Sequence, residues 1–389
     1  MNKSFITRVL LIISGLNVCS VSAAEWSLTS TLAPSFNYDD NVFMSENEQG
    51  SVQYLLSPTL SIKRALETSE IDLSVGYNIN RYVSFSELDR QDPFARLNST
   101  FSTERSNYGL AASYQQSSSR STAEEDTGDF TTESSLTTET ISPSYSYQLT
   151  ERNLLSIGGS YSTRTYSTTD FSDNEIKSLN SGWQHQFSER LSGGLTASVS
   201  NYQSDGVTGT TDDDNYSLST TMTYRLSELW QVNGQLGIRK LNSRNTDNVG
   251  FTQSNSSSGS SFNFNARRQS ELGLFSVGLS RSLSPSSTGD VNEQDRFNVS
   301  WSRELTEQLS TSMSASYQQS TSAIDEGSSD ERENINFSPA IKWQFDRNLG
   351  LNVGYNYRQQ KESEENTNVS SNSVMATLIY DWDGIRASR

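Results

Sequence analysis

The chain has 389 residues, and a soluble protein of ~100–200 residues per domain would split it into two or three domains. Its composition excludes that reading: only 32% of residues are apolar and mean hydropathy is −0.63, too little for several packed cores. With 29 Lys and Arg against 46 Asp and Glu, the net charge of −17 excludes the clustered basic surface that nucleic acid requires. Aromatic residues at 10% argue equally against a disordered chain.

The N-terminus reads as an export signal. Lys3 and Arg8 precede an apolar stretch from Val9 to Val18, and small residues follow at Ser22, Ala23 and Ala24. Residues 1–23 are expected to be removed, leaving 24–389 as one β-barrel domain. Cys19 would leave with the signal, so disulfides and thiolate metal sites are not expected in the mature chain.

Beyond the signal the pattern is strict alternation. In 51–64, Val52, Tyr54, Leu56, Pro58, Leu60 and Ile62 share one parity and Gln53, Ser57, Thr59, Ser61 and Lys63 the other, with Leu55 as the exception. Segments 215–226, 295–305 and 333–345 repeat it, with Tyr216, Leu218, Met222, Phe297, Trp301, Ile341 and Trp343 on the apolar side. Successive strand residues point to opposite faces, so each segment has one apolar and one polar face. Eighteen strands are predicted, near 26–38, 51–64, 71–84, 95–104, 107–117, 139–149, 153–166, 176–188 and 191–203, then near 215–226, 230–243, 260–268, 273–284, 295–305, 309–320, 333–345, 349–360 and 371–383.

Short charged turns such as Glu151-Arg152 and Glu189-Arg190 recur every ~40 residues, a hairpin-sized period. Between them lie Ser-, Thr-, Asn- and Asp-rich stretches, read as long loops at 205–215, 245–259 and 324–333. Most acidic residues fall in the predicted long loops, of which these are examples; among them are Asp39, Asp40, Asp212, Asp213 and Asp214. A continuous Tyr- and Trp-rich apolar face on strands of this length suits lipid rather than a soluble sandwich. Lipid forbids open sheet edges, so the expected fold is all-β: a single transmembrane antiparallel up-and-down barrel of about 18 strands. No N-terminal plug is expected, because the first strand starts close to the cleavage point. The stretch 118–138 is the longest candidate for a loop folded into the pore. Pro34, Pro58, Pro143 and Pro339 interrupt strands on the lipid-facing parity and are expected to mark bulges.

A barrel of this size encloses an aqueous channel. Its inward parity is rich in Ser, Thr, Asn and Gln and carries Lys63, Arg164, Arg225, Arg239, Arg267, Lys342 and Arg358, with Asp72 and Glu304 as the main acids. This mildly basic wall suits a polar or anionic solute, including a glycan, or simply solvates a pore. Arg81, Arg281 and Arg303 share the outward parity near strand ends and are expected to reach head groups or lipopolysaccharide phosphates. Catalytic residues and cofactors are not expected. The single His185 lies between Trp183 and Phe187 on the lipid-facing parity with no nucleophile motif beside it. Asp212-Asp213-Asp214 and 325–333 lack the ordered spacing of a calcium loop.

Tyr38-Asp39-Asp40-Asn41-Val42-Phe43, Leu56-Ser57-Pro58, the Leu/Phe-Ser/Thr-Glu-Arg turns and the closing Tyr380-Asp381-Trp382 together resemble the outer-membrane β-barrel porins encoded with exopolysaccharide and capsule loci. That resemblance implies export of a polysaccharide across the outer membrane, with a periplasmic polysaccharide export protein docked below. The residues alone leave two alternatives: a general diffusion porin for small solutes, and a surface interaction barrel with a closed pore. Residues 383–389 after Trp382 depart from barrels that end on an aromatic residue, unless the last strand runs further.

Overall fold

The structure is a computed structural model that describes residues 24–124, 127–206, 209–289, 291–324, 331–363 and 367–388. The expected signal 1–23 and several of the loop acids, Asp325 and Glu326 among them, lie outside the described residues.

Eighteen strands form one sheet. They are β1 Glu25–Asp39, β2 Ser51–Ala65, β3 Ser69–Tyr82, β4 Arg90–Ser102, β5 Ser106–Ser118 and β6 Ser135–Thr150. Next come β7 Asn153–Tyr166, β8 Asp173–Gln186, β9 Leu191–Gly206, β10 Gly209–Arg225, β11 Trp230–Asp247 and β12 Thr252–Ser270. The last six are β13 Gly273–Pro285, β14 Val291–Glu304, β15 Leu309–Ser322, β16 Arg332–Gln344, β17 Leu349–Glu362 and β18 Thr367–Ser388. Each pairs antiparallel with its sequence neighbours, and β1 pairs with both β2 and β18, so the sheet is a closed barrel. Closure leaves no strand of the described barrel without a partner on both sides in its lipid-crossing part, which is the condition for a sheet to cross lipid.

The alternation decides which face meets lipid. Leu218 and Met222 on β10, Leu236 and Ile238 on β11, and Ile341 and Trp343 on β16 are exposed on the outside, whereas Ser, Asn, Gln and Gly of the other parity turn into the bore. All turns between an even strand and the next odd one have four residues or fewer, and both ends of the described chain lie on that rim.

The stretches read as long loops at 205–215 and 245–259 are largely strand. β9, β10, β11 and β12 run 16, 17, 18 and 19 residues, longer than the ~9–11 needed to cross lipid. Their outer parts stand beyond the membrane, where no apolar face is needed and the alternation vanishes. The Asp212-Asp213-Asp214 run therefore sits on β10: Asp213 is buried, and the amide of Asn201 donates to both Asp212 and Asp214.

The prolines make no bulges. β2 pairs with β3 at Leu56↔Ile79 and resumes at Thr59↔Gly76 in unchanged register. The same two-residue gap occurs between Ile141↔Tyr161 and Ser144↔Gly158, between Phe337↔Tyr357 and Ala340↔Gly354, and between Leu32↔Tyr380 and Ser35↔Thr377. Each proline keeps its ladder on one side and lacks the N–H for the other. An inward hydroxyl bridges the gap at Pro58, Pro143 and Pro339, and at Pro34 it sits on the first pair beyond the gap. Ser57 donates to Asn78 at 2.9 Å and Ser142 to Ser160 at 3.4 Å. Ser338 donates to Asn356, and Ser35 and Thr377 share a hydrogen bond at 2.8 Å.

The bulge that does matter lies at the seam. The β1–β18 register shifts between Leu28 and Ser30, opposite Gly384 at φ 75°. A Cβ at 384 would overlap the carbonyl oxygen of Leu28. Beyond it β18 continues to Ser388, paired with Glu25, so residues 383–388 complete the last strand.

Candidate functional site

The bore is narrowed from two sides. The segment 119–134 between β5 and β6 leaves the rim through a neck in which Ser119 N donates to Ser134 O at 2.9 Å and Ser134 N to Ser119 Oγ at 3.0 Å. It then reaches the far wall. Asn334 of β16 donates to Glu124 O, and Gln360 of β17 donates to Gly128 O, both at 3.0 Å. Gly128 (φ 79°) lies so close to Arg332 and Glu362 that a side chain would collide with them. Phe130 is buried with Met44, Ala123 and Val369 in a small apolar cluster. Its ring lies beneath the guanidinium of Arg358, 5.6 Å from the ring centroid. The pore-folded loop expected at 118–138 is narrower in the structure: 119–124 and 127–134 fold inward, whereas Ser118 belongs to β5 and 135–138 to β6.

Two charged residues shape this loop. Arg120 donates through Nε to Phe130 O at 2.6 Å and through Nη2 to Val42 O, and lies over Phe43. Burial pulls its pKa below the usual guanidinium value, against the opposing effect of Tyr82. Asp129 accepts from Thr131 N, Thr131 Oγ1 and Thr132 N. Burial raises its pKa, but these hydrogen bonds outweigh burial and hold it below the ordinary carboxylate range.

The second obstruction is the tip of the β13–β14 hairpin. β12 pairs with β13 only from Phe262↔Arg281 to Ser270↔Gly273, although both strands run further. The free tip folds inward over β9 and β11. Tyr202 of β9 donates to Ser286 O at 2.8 Å, and Ser172 N donates to Ser287 O at 2.7 Å. Val291 packs with Tyr202, Leu241 and Ala323, and Arg239 of β11 pairs with Glu293.

The eight residues singled out from sequence share the inward parity but do not form one track. Lys63, Asp72, Arg225, Arg267 and Lys342 lie toward the rim of short turns, while Arg164, Arg239 and Arg358 lie toward the other end. Several cations are neutralised: Lys63 bridges Glu70 at 2.7 Å, Arg239 pairs with Glu293, and Arg358 bridges Asp39 at 2.8 Å. Asp39, read as a loop acid, ends β1 and also accepts from Ser371 Oγ at 2.6 Å. Of the outward arginines, Arg81 lies 3.7 Å from Asp89, and Arg281 pairs with both Asp295 and Glu293. Both are already neutralised within the protein. His185 bonds Asn153 Oδ1 at 2.9 Å and stacks with Trp183 and Phe187, an arrangement of an aromatic rim.

Sequence reasoning missed Arg90, Arg96 and Arg120. Arg90 and Arg96 share parity with Asp92 on β4, but β4 begins at Arg90, five residues before the strand predicted near 95–104, so Arg90 and Asp92 fall outside that prediction. Arg90 pairs with Asp92 at 2.9 Å and with Glu133 of the loop. Between the loop and the wall lies a cavity of about 730 Å³. Its charged lining is Arg90, Arg120 and Arg358 against Asp39, Asp92 and Glu133. The rest is mainly amide and hydroxyl, including Asn37, Gln53, Asn78, Asn80, Asn352 and Asn356.

Among solved structures, the chain is similar to OccAB4 of Acinetobacter baumannii (10% identity, TM-score 0.51, covering 94% of this chain and 99% of that one). It is also similar to the siderophore receptor PiuA of Acinetobacter baumannii (8% identity, TM-score 0.54, 94% and 82%) and to the ferric citrate transporter FecA (7% identity, TM-score 0.53, 91% and 78%). At these identities the shared property is the fold, that of outer-membrane β-barrels. No family model and no curated protein matches the sequence.

Proposed function

We propose that this protein is an outer-membrane diffusion channel for small polar solutes in a Gram-negative bacterium. The observation that carries the reading is a closed barrel whose polar bore is narrowed by 119–134 and by the β13–β14 tip. Such a constriction sieves small molecules. In this reading the short turns face the periplasm, and membrane lipids and lipopolysaccharide surround the apolar belt. The purified protein in a planar bilayer is expected to give discrete, long-lived conductance steps, and in liposomes to admit small sugars faster than larger ones. A silent bilayer would favour the surface interaction barrel.

Polysaccharide export, with a periplasmic polysaccharide export protein as partner, is the second reading, and it stands on the motif resemblance. A linear polymer would have to displace both obstructions, so the constriction favours the small-solute channel. Deleting the gene separates the two: the channel reading expects unchanged extracellular polysaccharide, and the export reading its loss.

A further inference from the structure

The cavity beneath 119–134 has the chemistry of a ligand site rather than of a bare water path. Its volume of about 730 Å³ falls within the ~300–1,000 Å³ of small-molecule pockets. Its three guanidinia and three carboxylates sum to zero: Arg90 holds Asp92 and Glu133, and Arg358 holds Asp39. The third guanidinium, Arg120, is spent on the carbonyls of Phe130 and Val42 and on the face of Phe43. An ionic solute entering here would be desolvated in a lining with no net opposite charge, its one guanidinium without a carboxylate already held by two carbonyls and a ring.

What remains mixes amides and hydroxyls with apolar side chains such as Leu55, Leu88 and Met375. Asn37, Gln53 and Asn80 form a row across β1, β2 and β3, with Asn37 Nδ2 donating to Gln53 Oε1 at 3.4 Å and Gln53 Nε2 to Asn80 Oδ1 at 2.8 Å. Each amide offers both a donor and an acceptor. That pairing matches vicinal hydroxyls, each of which also donates and accepts. Tyr82, on the same face of β3, adds an aromatic ring to the lining.

We infer that this cavity binds a neutral, polyhydroxylated solute, a short oligosaccharide, through the Asn37–Gln53–Asn80 amide row. The inference rests on the channel reading for how the sugar arrives, but binding is measured separately from conduction. Isothermal titration of the detergent-solubilised protein with maltotriose, a trigalacturonate and a chitosan trimer gives the ranking. Maltotriose is expected to bind at least tenfold tighter than either charged trimer. The double variant Gln53→Ala, Asn80→Ala is expected to lose maltotriose affinity by about tenfold, the size of one or two lost hydrogen bonds. Heat-modifiable gel migration reports whether that variant is folded. Glu133→Gln, which leaves Arg90 less compensated, is expected to raise trigalacturonate affinity severalfold. Equal or tighter binding of a charged trimer by the parent protein overturns the inference. So does undetectable maltotriose binding, or full affinity in the folded double variant. Absent conductance alongside intact maltotriose binding would instead refute the channel reading.

Discussion

Phe130 and Arg358 meet across the bore, the ring 5.6 Å from the guanidinium carbon, although one belongs to the segment after β5 and the other to β17. Arg358 is held in turn by Asp39, which Ser371 also bonds. The loop is therefore latched to a wall position that three strands, β1, β17 and β18, fix together. A cation–π contact of ~1 kcal/mol and the Gln360–Gly128 hydrogen bond of ~1 kcal/mol set the strength of that latch. The double variant Phe130→Ala, Gln360→Ala is expected to raise the population of a wider channel at least tenfold. Single-channel recording would show it as a second, larger conductance level, and an unchanged current histogram would count against the latch.

The seam makes a sharper demand on one residue. Gly384 adopts φ 75°, and a Cβ there would run into Leu28 O. A non-glycine residue costs ~1–2 kcal/mol for the left-handed conformation alone, with the steric conflict added. Gly384→Val is expected to weaken the β1–β18 closure by at least ~2 kcal/mol. The temperature at which the heat-modifiable gel band converts should drop, whereas Gly354→Val, at a wall position without positive φ and with no atom closer than 3.6 Å, should shift it less.

The barrel could be read from sequence because period-2 alternation is a local property, repeated wherever a strand touches lipid. Leu218 and Met222 announce β10 without any knowledge of β11. The same logic fails outside the membrane: Ser254 to Gly259 form part of β12, yet with no lipid to face they carry no apolar alternation. It fails again for the bore. Asp39 resembles any loop acid until β17 brings Arg358 against it, and Phe130 has no periodic partner. The basic residues of the wall were legible by parity, but their neutralisation was not, since Glu70, Asp39 and Glu293 are set against Lys63, Arg358 and Arg239 only by register and chain path. The wall that reads as mildly basic is, around the cavity, balanced.

The serine–proline pairs yield a double-mutant test. Ser338 Oγ donates to Asn356 across the ladder gap that Pro339 opens. Ser338→Ala leaves that amide oxygen without this donor and is expected to cost ~1 kcal/mol. Pro339→Val restores a backbone N–H facing β17, so the same serine change made in that background should cost measurably less. The coupling, read from urea unfolding of the detergent-folded barrel, should be about 0.5–1 kcal/mol. Strict additivity would mean that hydroxyl and missing ladder bond are unrelated.

Acid should loosen the pore loop through Asp129. Its carboxyl is held below the ordinary range because the hydrogen bonds from Thr131 and Thr132 outweigh burial. A depressed folded pKa stabilises the loop fully only above the unfolded value of ~3.9, and the contribution disappears as pH falls through the lower folded value. Between pH 7 and 5 the channel should therefore be insensitive to this group, while below pH ~4 the 127–132 turn should open more often. Asp129→Asn mimics the protonated form and retains one acceptor oxygen, so it should weaken the turn at neutral pH and flatten the acid dependence. Current noise recorded from pH 7 to 3 for both proteins checks this: parallel acid responses would remove Asp129 from the gating of the bore.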